Sequence, residues 1–163
     1  MNNLLITGGL GFIGSHTSVL LLERGYQLFV VDSMINTKND ALDRILNSQI
    51  ITEEKINNLH FFRGDLRDKE FLKDVFRKAS KLNKRIEGVI HFAGLKSVEE
   101  SNVNPIEYWD HNVKGTINLL KLMEDNNCFN IVFSSSASIY ENTGDFPKSE
   151  HTNINPINPY GNT

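Results

Sequence analysis

Leu4-Leu5-Ile6-Thr7-Gly8-Gly9-Leu10-Gly11-Phe12-Ile13-Gly14-Ser15 is an apolar run that turns through three spaced glycines into a helical pattern. A tight turn off a buried strand needs residues without a Cβ, and the first N–H groups of a following helix then face an anion. In that reading Gly8 makes the turn, Gly11 lets a pyrophosphate approach the backbone, and Gly14 lets the helix pack closely on the strand. The spacing is G-x-x-G-x-x-G and not G-x-G-x-x-G, so the common dinucleotide fingerprint is not strictly met. A glycine triplet also serves as a plain structural turn, and the rest of the chain must decide.

At 163 residues with 39% hydrophobic content, the sequence suits one α/β domain large enough to bury a core. A net charge of −3 gives no general electrostatic reason to bind nucleic acid or an anionic membrane. The N-terminus lacks a positive leader region, and no apolar segment approaches the roughly 20 residues that span a bilayer, so a cytoplasmic protein is expected. The single Cys128, just before an apolar strand, is expected as a buried thiol. No metal-ligating cluster is expected.

Beyond the glycine loop, Phe12, Ile13, Val19, Leu20 and Leu22 recur at mixed three- and four-residue spacings up to Gly25, a helix stop. Gln27-Leu28-Phe29-Val30-Val31-Asp32 then reads as a buried parallel strand whose carboxylate falls about 20 residues beyond the loop. Asp32 is placed to accept the hydroxyls of an adenosine ribose; capping the following loop is the other role open to it. No arginine follows before Arg44, so a cradle for a 2′-phosphate is missing and NAD is favoured over NADP. Residues 36–58 are polar and helix-compatible, with Ala41, Leu42, Ile45 and Leu46 as one apolar stripe over the sheet edge.

Residues 59–66 predict a third strand ending in Gly64-Asp65-Leu66, and a helix over 68–81 with Phe71, Leu72, Val75 and Phe76 as its apolar face. His60 and the neighbouring basic residues read as solvated. Asp65 sits at a strand's C-terminal end, where open α/β sheets bind ligands, and could equally cap the next helix. Residues 87–94 predict a fourth strand, whose Ala93-Gly94 ending leaves space for a flat or bulky ligand beside the backbone. A long helix is predicted from Pro105 to Glu124, with Asn112 in its middle facing solvent or satisfying a buried backbone group. Asn130-Ile131-Val132-Phe133 predicts the fifth strand, leading into Ser134-Ser135-Ser136. This alternation predicts a doubly wound parallel sheet, Rossmann-like, of order 3-2-1-4-5.

Residues 144–159 carry three of the four prolines and read as a loop that delivers Tyr160. With only five strands and nothing after Thr163, the expectation is one incomplete domain over residues 1–163, cut from a longer protein.

Together these residues resemble the extended short-chain dehydrogenase/reductase superfamily, and within it the UDP-glucose 4-epimerases. The carriers are residues 7–15, Gly64-Asp65-Leu66, residues 91–101 beginning His91-Phe92-Ala93-Gly94-Leu95-Lys96, Asn112-Val113-Lys114-Gly115-Thr116, residues 133–140 around the triple serine, and Asn158-Pro159-Tyr160-Gly161. The resemblance implies NAD as cofactor, with Phe12 and Ile13 amides at the pyrophosphate, Asp32 on the ribose, and Asp65 with Leu66 at the adenine. It also implies that Lys96 reaches the nicotinamide-side ribose or phosphate, that Asn112 lies near the cofactor, and that Phe92, Ala93, Gly94, Ser134 and Tyr160 belong to the cofactor-binding set. Taken alone, Lys96 reads equally as a solvated loop lysine and Ser136 as a helix cap.

The activity implied is epimerisation of a UDP-sugar in galactose metabolism: transient C4 oxidation to a 4-keto sugar, then hydride return to the other face. Ser136 would hydrogen-bond the sugar hydroxyl and Tyr160 would take its proton. A free tyrosine titrates near 10, so neighbouring positive charge must lower that value. In the family a lysine four residues after the tyrosine supplies it, and this sequence ends one position short, so the chain alone is expected to be inactive. Glu99 and Glu141 stand where the family often has glycine. A nucleotide-sugar dehydratase would need an Asp-Glu pair where Ala137 and Ser138 stand; a non-catalytic NAD-binding module is the other alternative. A homodimer is implied, pairing through the Phe71 and Pro105 helices, as is a smaller C-terminal substrate domain.

Overall fold

The computed structural model describes residues 2–38, 40–142, 144 and 147–163. Five parallel strands, β1 (Asn3–Thr7), β2 (Gln27–Asp32), β3 (Leu59–Arg63), β4 (Gly88–His91) and β5 (Asn130–Phe133), lie in the order β3-β2-β1-β4-β5. The central strand β1 pairs Ile6 with Val30 on one side and with Ile90 on the other. The predicted order is the observed one, and the chain reverses its winding direction between β3 and β4, which places β4 on the other side of β1.

The central strands β1, β2 and β4 are buried, which is why they read as continuous apolar runs, whereas β3 is partly buried and β5 is exposed. Successive side chains alternate faces. Leu5, Phe29 and Val31 join Leu72, Val75 and Phe76 of helix α4 (Lys69–Lys81) and Leu119 and Leu122 of helix α7 (Gly115–Asp125) on one side. Leu4, Ile6, Leu28 and Val30 join Leu22 of α1 (Phe12–Glu23) and Ile45 of α2 (Ala41–Leu46) on the other. Cys128 is buried in the first of these layers, as expected.

Helix α1 faces the sheet with Gly14, Ser18 and Leu22, spaced four apart, while Phe12, Ile13 and Leu20 of the expected stripe are exposed. Small residues let the helix lie close to β1 and β2, and Phe12 and Ile13 stand at the loop mouth instead of in the core. The helix ends as Gly25 takes φ +81°, with the Tyr26 N–H reaching the Leu21 carbonyl at 3.0 Å.

Several boundaries differ from the sequence-based expectation. The stretch before β3 forms two short helices, α2 and α3 (Glu53–Ile56); residue 39 within it lies outside the described residues. Strand β4 stops at His91, opposite Thr7, where β1 ends and Gly8 turns away, and β3 stops at Arg63, opposite Asp32 at the end of β2. An unforeseen helix α5 (Val98–Val103) follows β4. The helix expected over 105–124 is one helical run in three parts: α6 (Pro105–Tyr108), a π turn over Trp109–Lys114, and α7. At the junction the Asn112 carbonyl accepts the Thr116 hydroxyl at 2.5 Å, a side-chain partner that competes with the regular helical ladder. Near the end, Tyr140 bridges Ile154, and the short helix α8 (Pro159–Asn162) carries Tyr160. Of the loop expected over 144–159, residues 145 and 146 lie outside the described residues.

Candidate functional site

The C-terminal ends of the strands gather most of the residues singled out from the sequence. Gly8 takes φ +64°, and a Cβ there would lie 2.7 Å from the Ala93 nitrogen, so the turn can occur only with glycine against the end of β4. A Cβ on Gly14 would lie 2.3 Å from the Gly8 carbonyl oxygen, which explains its close packing. A Cβ on Gly11 would meet only that same carbonyl, at 3.2 Å, leaving its outer side open. Gly11 begins α1 with no side-chain cap. The first turn of the helix carries no acidic side chain of its own, beside the exposed Phe12 and Ile13.

Asp32 is buried at the end of β2, and its carboxylate ties two loops together. Oδ2 accepts the Leu10 N–H at 3.0 Å, while Oδ1 accepts the Met34 N–H at 2.8 Å and the Thr37 hydroxyl at 3.3 Å. The loop-capping role is thus present, and it extends to the glycine loop itself.

Asp65 does not cap the following helix; Asp68 does, accepting the Phe71 N–H at 3.0 Å. Both Asp65 oxygens are held by Arg67, from Nε at 3.1 Å and from a terminal nitrogen at 2.8 Å. Burial pushes Asp65 up, but the Arg67 hydrogen bonds outweigh it and hold the carboxyl below the usual range. Arg67 also reaches Asp110 at 2.7 Å, locking the loop after β3 to the π turn. The expectation that the basic residues here are solvated fails for Arg67, and His60 is partly buried, stacked on Phe29 and 2.7 Å from the Gln27 amide. The Leu66 side chain belongs to the core, and its carbonyl accepts from Asn118 at 3.1 Å.

After β4, Phe92 and Ala93 pack on opposite core layers and Gly94 is exposed. Asn112 satisfies a backbone group, the second of its two expected roles: Oδ1 accepts the Leu95 N–H at 2.8 Å and Nδ2 donates to the Leu95 carbonyl at 3.0 Å. Lys96, next in the chain, is exposed and makes no ion pair among the described residues. The neighbouring Ser97 N–H donates to the hydroxyl of the fully buried Tyr108, which donates to Glu100 at 3.0 Å. Burial and then Glu100 push the Tyr108 hydroxyl up, so it is a neutral donor. Trp109, beside it, is half exposed.

Ser134 is exposed beyond β5, its N–H donating to the His91 carbonyl at 3.0 Å. Ser136 caps a 3-10 turn over Ala137–Ile139 by accepting the Ser138 N–H at 3.2 Å. Helix α8 packs on that turn: a Cβ on Gly161 would lie 2.5 Å from the Ser138 carbonyl. Tyr160 meets the Tyr108 ring edge-on, with centroids 6.3 Å apart.

Two participants escaped sequence reading: Arg67 and His91. Their partners lie up to 84 residues away, as for Thr7 and His91, and no local pattern marks them. Two surface hollows of about 370 and 400 Å³ lie elsewhere, one around Glu141 and His151, the other around Asn3, Arg85 and Asn127 at the strands' N-terminal ends. Neither has the helix terminus or the strand C-termini that bind ligands in this architecture.

A doubly wound sheet with its glycine turn beside the switch of winding direction is the arrangement of the extended short-chain dehydrogenases/reductases. The chain belongs to the GDP-mannose 4,6 dehydratase family, whose model matches residues 5–163. Among its relatives, a bifunctional UDP-glucose 4-epimerase and UDP-xylose 4-epimerase of Pisum sativum is 42% identical over 160 residues, covering 98% of this chain and 44% of its own. The UDP-glucose 4-epimerase of Neisseria meningitidis is 43% identical over 162 residues, covering 99% of this chain and 44% of its own. The solved UDP-glucose 4-epimerase of Bifidobacterium longum, in complex with NAD⁺ and UDP, matches with TM-score 0.83 at 38% identity, over 98% of this chain and 45% of that one. The chain thus spans less than half the length of these relatives. Among the described residues, no helix is long and apolar enough to cross a membrane.

Proposed function

We propose that this chain is the NAD-binding portion of a UDP-glucose 4-epimerase, a cytoplasmic homodimer whose substrate determinants lie largely in a second, smaller domain. The observation that carries the reading is the glycine turn at Gly8 packed against Ala93, which brings the open α1 N-terminus beside the end of β4. The 4-epimerase relatives support the choice of reaction.

In this reading the N–H groups of Phe12 and Ile13 take the pyrophosphate across Gly11. The Asp32 carboxylate offers about four acceptor positions. Leu10, Met34 and Thr37 occupy three, leaving room for one ribose hydroxyl. Asp65, oriented by Arg67, and the Leu66 backbone lie at the adenine. Phe92, Ala93 and Gly94 flank the nicotinamide half, with Lys96 reaching its ribose and Ser134 and Asn112 nearby. When bound, NAD⁺ supplies the hydride acceptor that makes C4 oxidation reversible. Ser136 accepts a hydrogen bond from Ser138, so its own proton can go to a sugar oxygen. Tyr160, held edge-on by Tyr108, takes the proton of the C4 hydroxyl at its phenolic oxygen and returns it. Dehydration is disfavoured because Ala137 and Ser138 follow Ser136, where an acid and base would be needed. Exposed Ile117 and Leu120 on α7, which packs beside α4, supply an apolar face for pairing subunits.

The test is to purify the full-length gene product, release any bound nucleotide and identify it, then assay UDP-galactose conversion. NAD retention with conversion to UDP-glucose, and loss of at least about a hundredfold in rate in Tyr160→Phe, are expected. Binding of NAD without any epimerisation would favour a non-catalytic module instead.

A further inference from the structure

His91 ends β4 with both ring nitrogens engaged inside the protein. Nδ1 lies 2.5 Å from the Thr7 hydroxyl and Nε2 lies 2.9 Å from the Thr116 hydroxyl, and the residue is 2% exposed. The direction of each bond can be read from its partners. Thr116 Oγ1 lies 2.5 Å from the Asn112 carbonyl oxygen, which only accepts, so the single Thr116 proton goes there. Thr116 can then only accept from His91, and Nε2 must carry a proton. At the other end, Thr7 Oγ1 accepts the Ala93 N–H at 3.4 Å. The Thr7 proton is directed to Nδ1, which must be bare to receive it. A ring protonated at both nitrogens would strand the Thr7 hydroxyl in a site without solvent.

We infer that His91 is a positioning residue, fixed as the neutral Nε2–H tautomer at the centre of a one-way hydrogen-bond chain. The chain runs from the Ala93 N–H through Thr7, His91 and Thr116 to the Asn112 carbonyl. Its two ends matter. Thr7 is the last residue of β1, immediately before Gly8. Asn112 lies in the π turn and grips both backbone groups of Leu95, the residue before Lys96. The relay therefore sets the glycine turn and the Leu95-Lys96 loop at one spacing, across the width of the crevice that opens between β1 and β4. The imidazole is suited to this task because it accepts at one nitrogen and donates at the other, on opposite edges of a rigid ring. That these two loops hold a cofactor rests on the function proposed above; the tautomer and its bond directions do not.

The experiment is nitrogen-15 NMR of the full-length gene product labelled in histidine, together with NAD affinity of relay variants. One imidazole is expected to show a protonated Nε2 and a bare Nδ1 at pH 7, with that pattern lost in Thr116→Val. Thr116→Val keeps the shape but removes the acceptor, and is expected to weaken NAD binding about tenfold, with Thr116→Ser restoring it. Thr7→Val, which removes the donor to Nδ1, is expected to act in the same direction and decides the matter should Thr116→Val fail to fold. An Nδ1–H or doubly protonated ring would overturn the relay. A lowered melting temperature with unchanged NAD affinity in both valine variants would overturn its coupling to the site. Failure of the unsubstituted protein to bind NAD would overturn the cofactor reading, while the imidazole signature would still decide the bond directions.

Discussion

Asn112 grips Leu95 by both of its backbone groups, accepting the N–H at 2.8 Å and donating to the carbonyl at 3.0 Å across 17 residues of chain. This amide-on-backbone pair does what a strand partner would do for a loop that has left the sheet. Replacing Asn112 with Leu leaves two partly buried backbone groups unpaired, at about 1–3 kcal/mol each before relaxation. We expect urea denaturation of Asn112→Leu to show a loss of about 2 kcal/mol, with the denaturant slope unchanged. Asn112→Asp keeps the acceptor but turns a carboxylate toward the Leu95 carbonyl, and is expected to be at least as destabilising.

The glycines separate by what surrounds them. Gly8 and Gly25 both have positive φ, but a Cβ on Gly8 would strike Ala93 and Phe92 backbone, whereas one on Gly25 meets nothing within 4 Å. Gly25→Ala should therefore cost only the left-handed strain, about 1–2 kcal/mol, and leave nucleotide affinity unchanged. Gly8→Ala should displace the loop and abolish measurable NAD binding. Titration calorimetry on the two variants checks the contrast, and equal affinities would refute the placement of the turn.

Arg67 is expected to matter through Asp65 and Asp110 together. Both carboxyls are held below the ordinary range: burial of Asp65 is outweighed by its Arg67 bonds, and Asp110 is lowered first by Lys114 and then by Arg67. A depressed carboxyl contributes stability that is present above its unfolded value and lost as pH falls through the folded one. The unfolded value is 3.8, so this contribution disappears only in acid below about pH 4. Arg67→Met should lower stability modestly at pH 7, because the pairs are partly exposed and screened, and should flatten the acid limb of a denaturation profile.

His91 acts in a different window. Burial holds its imidazole at about 4, against an ordinary 6.5. Between these values the unfolded chain binds a proton that the folded protein refuses, so stability falls as pH drops from 6.5 toward 4 and is constant above 6.5. The difference amounts to about 3 kcal/mol over the whole interval. Denaturation midpoints from pH 4.5 to 7.5 should show this slope in the parent protein, and a shallower one in His91→Phe.

The reading of strands from apolar runs succeeded most clearly at the centre of the sheet, where burial demands such runs, and β2 with all six residues buried is the clearest case, while the equally apolar β5 is exposed. The helix over 105–124 read as uninterrupted because hydrophobic spacing carries no mark of the π turn, whose Asn112 and Thr116 answer to Leu95 and His91. Phe12 and Ile13 read as a core stripe by periodicity, yet they stand exposed because Gly14 and Ser18 take the close approach to the sheet.

The amino-acid sequence by itself determined the sheet order, the glycine turn and the carboxylate that follows it, because these depend on local chemistry: runs that must be buried, and residues that alone can turn. Only the tertiary structure decided that Asp32 ties the glycine loop to the next one, that Arg67 claims Asp65, and that His91 joins Thr7 to Thr116. A buried polar group must be satisfied by whatever the fold brings within 3 Å, and spacing along the chain does not encode which partner that will be.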